Sequence, residues 1–97
     1  MNISFSKSAI DDLKSIKEYY QEQGVPQIGQ NFVEAIVEHI ETLTIHPDIG
    51  RVVPEFSDDS IRELIHFPFR IVYLRESESI NIIRVWRSER LLKLPEN

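Results

Sequence analysis

The chain of 97 residues contains no cysteine and only three glycines. The absence of cysteine excludes disulfide bonds, thiolate nucleophiles and cysteine-based metal sites, and it is typical of a reducing cytoplasm. Gly24, Gly29 and Gly50 are too far apart to form a phosphate-binding loop. No apolar run reaches the roughly 18 residues that span a bilayer, and Met1 to Phe5 lacks the features of a signal peptide. We therefore expect a cytoplasmic protein without a membrane segment.

Positive charge is scarce in the first sixty residues. There, four cations face eleven carboxylates, a net charge of −7, whereas from Ile61 onward seven cations face five carboxylates, a net charge of +2. The six arginines of this second part are Arg62, Arg70, Arg75, Arg84, Arg87 and Arg90. The total charge of −5 argues against general nucleic-acid binding, but a local patch of arginines predicts a binding surface.

A short strand and two amphipathic helices are predicted in the first half of the chain. Residues 2–5 alternate polar and apolar side chains. Ser8 followed by Asp11 resembles a capping box for the first helix, which Gly24 is expected to end. Pro26 suits the first turn of the second helix, and His46 and Pro47 are expected to end it. The apolar stripes consist of Ala9, Leu13, Ile16 and Tyr20, then Ile28, Phe32, Ala35, Ile36, His39 and Leu43. The helical charges, Asp12 included, are interpreted as solvated surface.

Three strands are predicted in the second half, at Ile61–Ile65, Phe69–Leu74 and Ile80–Arg87. Pro68 separates the first two because it cannot donate to a ladder, and the last two are expected to form an antiparallel hairpin. Residues 47–60 are interpreted as a loop. The predicted order is β-α-α-β-β-β in one domain of residues 1–97, an α+β fold with a helical hairpin on one face of a small, mostly antiparallel sheet. A domain of this size favours a shallow, open site.

Both faces of the predicted sheet are largely apolar. The alternating sets are Phe69, Ile71 and Tyr73 against Arg70, Val72 and Leu74, then Ile83 and Val85 against Ile80, Ile82, Arg84 and Trp86. Helices can cover only one face, so the second is covered by a partner protein, which we favour, or by the loop from Arg51 to Asp59. Arg70 on this surface would bind a carboxylate or phosphate, or would form an ion pair with Glu55 or Glu63.

The remaining candidates are Trp86 and the three histidines. Core packing is the default interpretation of Trp86, and the alternative is an interface anchor beside Arg87 and Arg90. His39, His46 and His66 are scattered along the sequence without the spacing of a ligand set. We therefore predict no metal site and no cofactor.

Several short segments, in this order, resemble the RelE/ParE superfamily of toxins from type II toxin–antitoxin systems. They are Asp12-Leu13, His46-Pro47-Asp48-Ile49-Gly50-Arg51, Ile61-Arg62-Glu63-Leu64 and Phe69-Arg70-Ile71-Val72-Tyr73, in addition to the order of elements. The resemblance covers nearly the whole chain. It implies a cognate antitoxin that wraps the sheet and neutralises the toxin.

The superfamily divides by target, and the ParE-like branch, whose members inhibit DNA gyrase, is favoured here. The alternative is a RelE-like endoribonuclease that cuts mRNA on the ribosome. For that reaction the resemblance assigns Arg70 to the scissile phosphate and Glu55 to the general base, and Arg87 would substitute as a cation for the missing acid or stacking group. A guanidinium is a poor proton donor, and no aromatic residue follows Trp86, so the nuclease set is incomplete and enzymatic activity stays open. The residues expected to bind the target or antitoxin are Arg51, Arg62, Arg70, Arg84, Trp86, Arg87 and Arg90.

Overall fold

The computed structural model describes residues 1–88. Its helices and strands are β1 (Asn2–Phe5), α1 (Lys7–Glu22), α2 (Pro26–Glu41), β2 (Arg51–Val52), β3 (Ile61–His66), β4 (Phe69–Arg75) and β5 (Ser79–Arg87), with a 3-10 turn at Thr42–Thr44 after α2. The predicted α+β fold class is confirmed. The short strand β2 lies within the segment that was predicted to be only a loop. No helix among residues 1–88 is long and apolar enough to cross a membrane.

Helix α1 begins two residues earlier than predicted. Its N-cap is Ser6, whose hydroxyl accepts a hydrogen bond from the Ala9 backbone N–H at 3.0 Å. The Ser6 hydroxyl also donates to the Ile83 carbonyl of β5 at 3.0 Å. The capping box at Ser8 and Asp11 is therefore wrong, because the serine that also contacts the sheet is the one that caps the helix.

The turn between the helices follows the sequence signals. Gly24 adopts a φ of 79°, and the N–H groups of Gly24 and Val25 donate to the carbonyls of Gln21 and Tyr20 at 3.0 and 2.9 Å. This is a Schellman motif, which favours glycine at the left-handed position. Pro26 occupies the start of α2, as predicted. The sequence analysis did not identify the role of Gly29, which is buried in α2. An added Cβ at Gly29 would lie 3.0 Å from the Tyr20 Cβ of α1, so glycine permits the close approach of the two helices.

The strands form one five-stranded sheet in the order β1-β5-β4-β3-β2. Strand β1 pairs with β5 in parallel, and all the other pairs are antiparallel. The predicted hairpin of the last two strands is confirmed, with Phe69 opposite Arg87 and Arg70 opposite Trp86. The pairing of the first strand with the last places the start of the chain beside its final described strand.

A β-bulge in β5 overturns the predicted facing of that strand. Val72 pairs with Arg84 whereas Tyr73 pairs with Ile82, so Ile83 is an extra residue. Beyond a bulge the alternation of side chains reverses relative to the partner strand. Ile80, Ile82 and Val85 consequently share the main core, although strict alternation placed Val85 on the opposite face.

The main core lies between the helical hairpin and one face of the sheet. The sheet contributes Phe69, Ile71 and Tyr73 of β4, and the helices contribute Ala9, Ile16, Ile36 and Ile40. The position of Phe69, Ile71 and Tyr73 on this face agrees with the predicted alternation. Ile28, which was predicted in the stripe of α2, is 44% exposed and does not belong to this core.

The second face of the sheet is covered at its centre by the chain itself. Val72 and Arg70 are buried there but do not belong to the main core. Val53 is also buried, and its N–H donates to the Ile61 carbonyl, while Glu55 of the same loop contacts Arg70. The loop, which was the less favoured cover, therefore accounts for the burial at the centre of this face.

Candidate functional site

Arg70 lies at the centre of an ionic network on the second face of the sheet. Its Nε donates to Glu63 Oε1 at 2.5 Å, and its Nη1 and Nη2 donate to the Glu55 carboxylate at 3.1 and 3.2 Å. Both predicted ion-pair partners of Arg70 are thus bonded to it together. The Glu63 side chain is inaccessible to solvent, whereas the Glu55 side chain is 52% exposed.

Glu63 also binds Arg51, another of the arginines that were predicted to contact the target or antitoxin. Arg51 Nε donates to Glu63 Oε2 at 2.5 Å. The pairing register explains the contact, because Arg51 of β2 lies directly opposite Glu63 of β3, which in turn lies opposite Val72. One buried carboxylate therefore accepts hydrogen bonds from two guanidinium groups, an arrangement that compensates for the burial of its charge.

Arg87 lies on the opposite face of the sheet from Arg70. Arg87 is paired with Phe69, and directly opposed residues share a face. Its guanidinium lies 5.5 Å from the centre of the Phe69 ring and donates to the Tyr20 hydroxyl of α1 at 3.3 Å. The structure therefore brings Glu55 and Arg70 together but does not add Arg87 to them.

A pocket of about 320 Å³ opens between α1 and the end of β5. It is lined by Asp12, Ser15, Ile16, Tyr19, Tyr20, Phe69, Val85, Trp86 and Arg87. Tyr19 is 51% exposed, and its ring packs edge-on against Tyr20. Four aromatic side chains and a guanidinium line this pocket, a combination that can hold an apolar or aromatic side chain together with an anionic group.

Asp12 anchors α1 to the bulged part of β5. Its carboxylate accepts from Arg84 Nε and Nη2 at 2.8 and 3.0 Å and from the Val85 backbone N–H at 2.8 Å. The Arg84 guanidinium also lies 4.8 Å from the Trp86 ring centre. The interpretation of Asp12 as a solvated charge was wrong, because the bulge presents a backbone donor that only the folded chain places beside α1.

The comparisons with known proteins agree with this fold. The family model described as the ParE toxin of type II toxin–antitoxin systems, parDE, matches residues 3–92. The chain belongs to this family. It also resembles a solved structure of the chromosomal ParDE toxin–antitoxin system from P. aeruginosa, with 25% identity, a TM-score of 0.73 and coverage of 90% of this chain and 95% of that one. No curated protein matches the sequence. The predicted superfamily and its ParE-like branch are confirmed.

In this ParE-family chain the predicted arginine surface is divided between internal contacts and the pocket. Arg62 donates to the Gly50 carbonyl at 2.9 Å, and the Arg75 guanidinium lies 2.9 Å from Asp48. Arg51, Arg70 and Arg84 are bonded to carboxylates as described above. Trp86 and Arg87 line the pocket, and Trp86 is only partly buried rather than part of the main core. Arg90 lies outside the described residues.

Tyr73 holds the segment before β2 in place. Its hydroxyl donates to the Pro47 carbonyl at 2.9 Å and accepts from the Gly50 N–H at 3.0 Å. A Cβ on Gly50 would lie 2.6 Å from that hydroxyl and 2.7 Å from the Glu63 carbonyl. The glycine in His46-Pro47-Asp48-Ile49-Gly50-Arg51 therefore permits a close approach to β3 and β4, which the sequence pattern alone did not specify.

The environment of Glu55 opposes its use as a general base. Its pKa is lowered, first by the hydrogen bonds from Arg70 and further by the charges of Arg70 and Arg51. A base with a lowered pKa has less affinity for the proton that it must accept. The carboxylate thus acts as the exposed partner of Arg70.

Proposed function

We propose that this ParE-family toxin arrests growth in the cytoplasm by binding DNA gyrase directly, and that a cognate antitoxin neutralises it. The observation that carries the choice of target is the position of Arg70. Its guanidinium is bonded to Glu63 and Glu55 on one face of the sheet, while Arg87 lies on the other face. This arrangement favours a binding protein over a ribonuclease.

Cleavage of RNA through the 2′-hydroxyl needs a proton acceptor, a cation at the phosphorane and a proton donor around one phosphate. Glu55 and Arg70 are adjacent but bonded to each other, so an entering phosphate would have to displace Glu55 from the guanidinium. Arg87 instead lies opposite Phe69 and donates to the Tyr20 hydroxyl of α1. Binding to a protein target requires no such rearrangement of the network.

The pocket between α1 and β5 is the surface that we assign to the target. Tyr, Trp and Arg are the side chains most often found at energetic centres of interfaces, and Tyr19, Trp86 and Arg87 bring all three types to this pocket. An interface centred here would leave the Arg70 network intact. Arg90, which lies outside the described residues, remains a predicted contact of the target or the antitoxin.

The test is inhibition of purified gyrase. Tag-free, antitoxin-free protein is added to gyrase with relaxed plasmid and ATP, and supercoiling and trapped DNA breaks are followed. We expect inhibition by the wild type and a loss of about tenfold or more in potency for Arg87→Ala, equivalent to about 1.4 kcal/mol or more of binding. Lys7→Ala, which removes one exposed positive charge from the start of α1, is the matched control and should inhibit normally.

The antitoxin is tested by expression in cells. The chain expressed alone should arrest growth, and its co-expression with the cognate antitoxin should restore growth and yield a stable complex. Growth without arrest, from demonstrably folded protein, would contradict the toxin activity. Cleavage of ribosome-bound mRNA by the folded wild type would instead establish the ribonuclease alternative.

A further inference from the structure

Two histidines that are 27 residues apart meet at the junction of the helical hairpin and the sheet. His39 lies on α2 and His66 is the last residue of β3. Their Nδ1 atoms are 3.0 Å apart, and the ring centres are 5.2 Å apart with an angle of 52° between the planes. Neither side chain belongs to the ionic network or to the pocket that we assign to the target.

The contact requires the two nitrogen atoms to have different protonation states. One Nδ1 must donate and the other must accept, so one proton lies between them. Burial, and then the charge of His66, lowers the pKa of His39. This direction favours the neutral imidazole, which is the form that binds transition metals.

We propose that His39 and His66 bind one divalent transition-metal ion through their Nδ1 atoms, in place of the shared proton. Imidazole nitrogen atoms lie about 2.0–2.1 Å from such an ion. With the observed nitrogen spacing of 3.0 Å, both nitrogen atoms can reach one ion that lies beside the line joining them. Imidazole ligands suit Cu²⁺, Ni²⁺ and Zn²⁺, and Cu²⁺ generally binds most tightly of the three.

Water molecules would supply the remaining ligands. Among residues 1–88 no group of three or more His, Cys, Asp or Glu side chains is placed to hold a metal ion. His66 also lines an open groove with Ile28, Asn31, Phe32 and Ala35, which gives the ion access from solvent. The site would join α2 to the end of β3, so its occupation would stabilise the folded chain in proportion to the metal concentration.

The prediction of no metal site relied on the separation of the histidines in the sequence, which hides a contact made across two elements. His46, the third histidine, is exposed in the segment after α2. It provides a matched control on the same chain.

The test is thermal unfolding of the full-length, tag-free protein in chelator and in excess Ni²⁺ or Zn²⁺. We expect either ion to raise the melting temperature by about 4 °C or more. His39→Gln and His66→Gln, which keep a polar side chain, should each abolish the rise, whereas His46→Gln should retain it. No rise in the wild type, or an equal rise in His39→Gln, would overturn the proposal.

A measurement on the wild type alone covers the case in which a variant does not fold. With one equivalent of Cu²⁺, electron paramagnetic resonance should show hyperfine coupling to two equivalent imidazole nitrogen atoms. Coupling to one nitrogen, or to none, would overturn the paired site. Neither measurement involves gyrase, so failure of the metal site and failure of the proposed gyrase binding can be distinguished.

Discussion

Arg70 and Glu63 form a buried ion pair between neighbouring strands, with Arg70 Nε 2.5 Å from Glu63 Oε1. The side chains are 8% and 0% exposed. Glu63 binds Arg51 as well, and Arg70 binds Glu55, so the pair connects β2, β3, β4 and the covering loop. A resemblance to nucleolytic relatives assigns Arg70 to a phosphate, but these contacts make it a structural member of the second sheet face.

Glu63→Gln should therefore destabilise the protein severely. The substitution removes the negative charge that compensates two guanidinium groups, and breaking a buried ion pair costs about 3–5 kcal/mol. Urea unfolding followed by circular dichroism measures the change. Glu78→Gln, in the exposed turn before β5, is the control and should stay within about 0.5 kcal/mol of the wild type. Equal stabilities for the two variants would show that the network contributes little.

Asp12→Asn should weaken the attachment of α1 to β5. The carboxylate accepts from Arg84 and from the Val85 N–H, and loss of charge-assisted hydrogen bonds in a mostly buried site costs about 1.5–3 kcal/mol. The neighbouring Asp11→Asn is a close control, because the exposed i,i+4 pair of Asp11 with Lys7 is worth about 0.5 kcal/mol or less. If both variants lose the same stability in urea, the anchoring role of Asp12 is wrong.

Gly50→Ala should destabilise the segment before β2 by about 1–3 kcal/mol, as overpacking does in a well-packed site. The new Cβ would lie 2.6 Å from the Tyr73 hydroxyl, and either the hydroxyl or the backbone must move. In a Tyr73→Phe background the hydroxyl oxygen that the new Cβ would approach is absent. Part of the penalty should then disappear in a double-mutant cycle; an unchanged penalty would place the clash elsewhere.

Alkaline pH should destabilise the protein through Tyr73. Burial raises the pKa of Tyr73 above its ordinary value of 10.0, so the unfolded chain releases the phenol proton at lower pH than the folded chain. Above about pH 10 the unfolded state binds fewer protons, and stability falls as pH rises. Urea midpoints between about pH 8 and pH 11 should decline less for Tyr73→Phe than for the wild type. Parallel declines would contradict this origin.

Features that depend on local chemistry were predictable from the sequence. Gly24 and Pro26 marked the turn between the helices correctly because their backbone preferences act within a few residues. The extra residue Ile83 was not predictable, since no local signal distinguishes a bulged strand from a regular one, and it reversed the facing of Val85. The hydrogen bond from the Val85 N–H to Asp12 depends on the same bulge, so it was not predictable either.

The candidate sites were less predictable from the sequence than the turn and the helices, because most of them combine residues that only the folded chain brings together. Arg70 and Glu55 were identified from sequence, and their ion pair was one of the two expected outcomes. The pocket lined by Tyr19 and Trp86 was missed because it combines residues from α1 and β5, which are far apart in the sequence. The contact between His39 and His66 was missed for the same reason.

Direct binding to gyrase tests the central claim most simply. Immobilised gyrase is exposed to the folded, tag-free protein in a surface-binding measurement, with the Lys7→Ala and Arg87→Ala variants run in parallel. The account predicts saturable binding by the wild type and Lys7→Ala, and affinity weakened about tenfold or more by Arg87→Ala. Absence of binding by the wild type, together with cleavage of mRNA on ribosomes, would contradict the account.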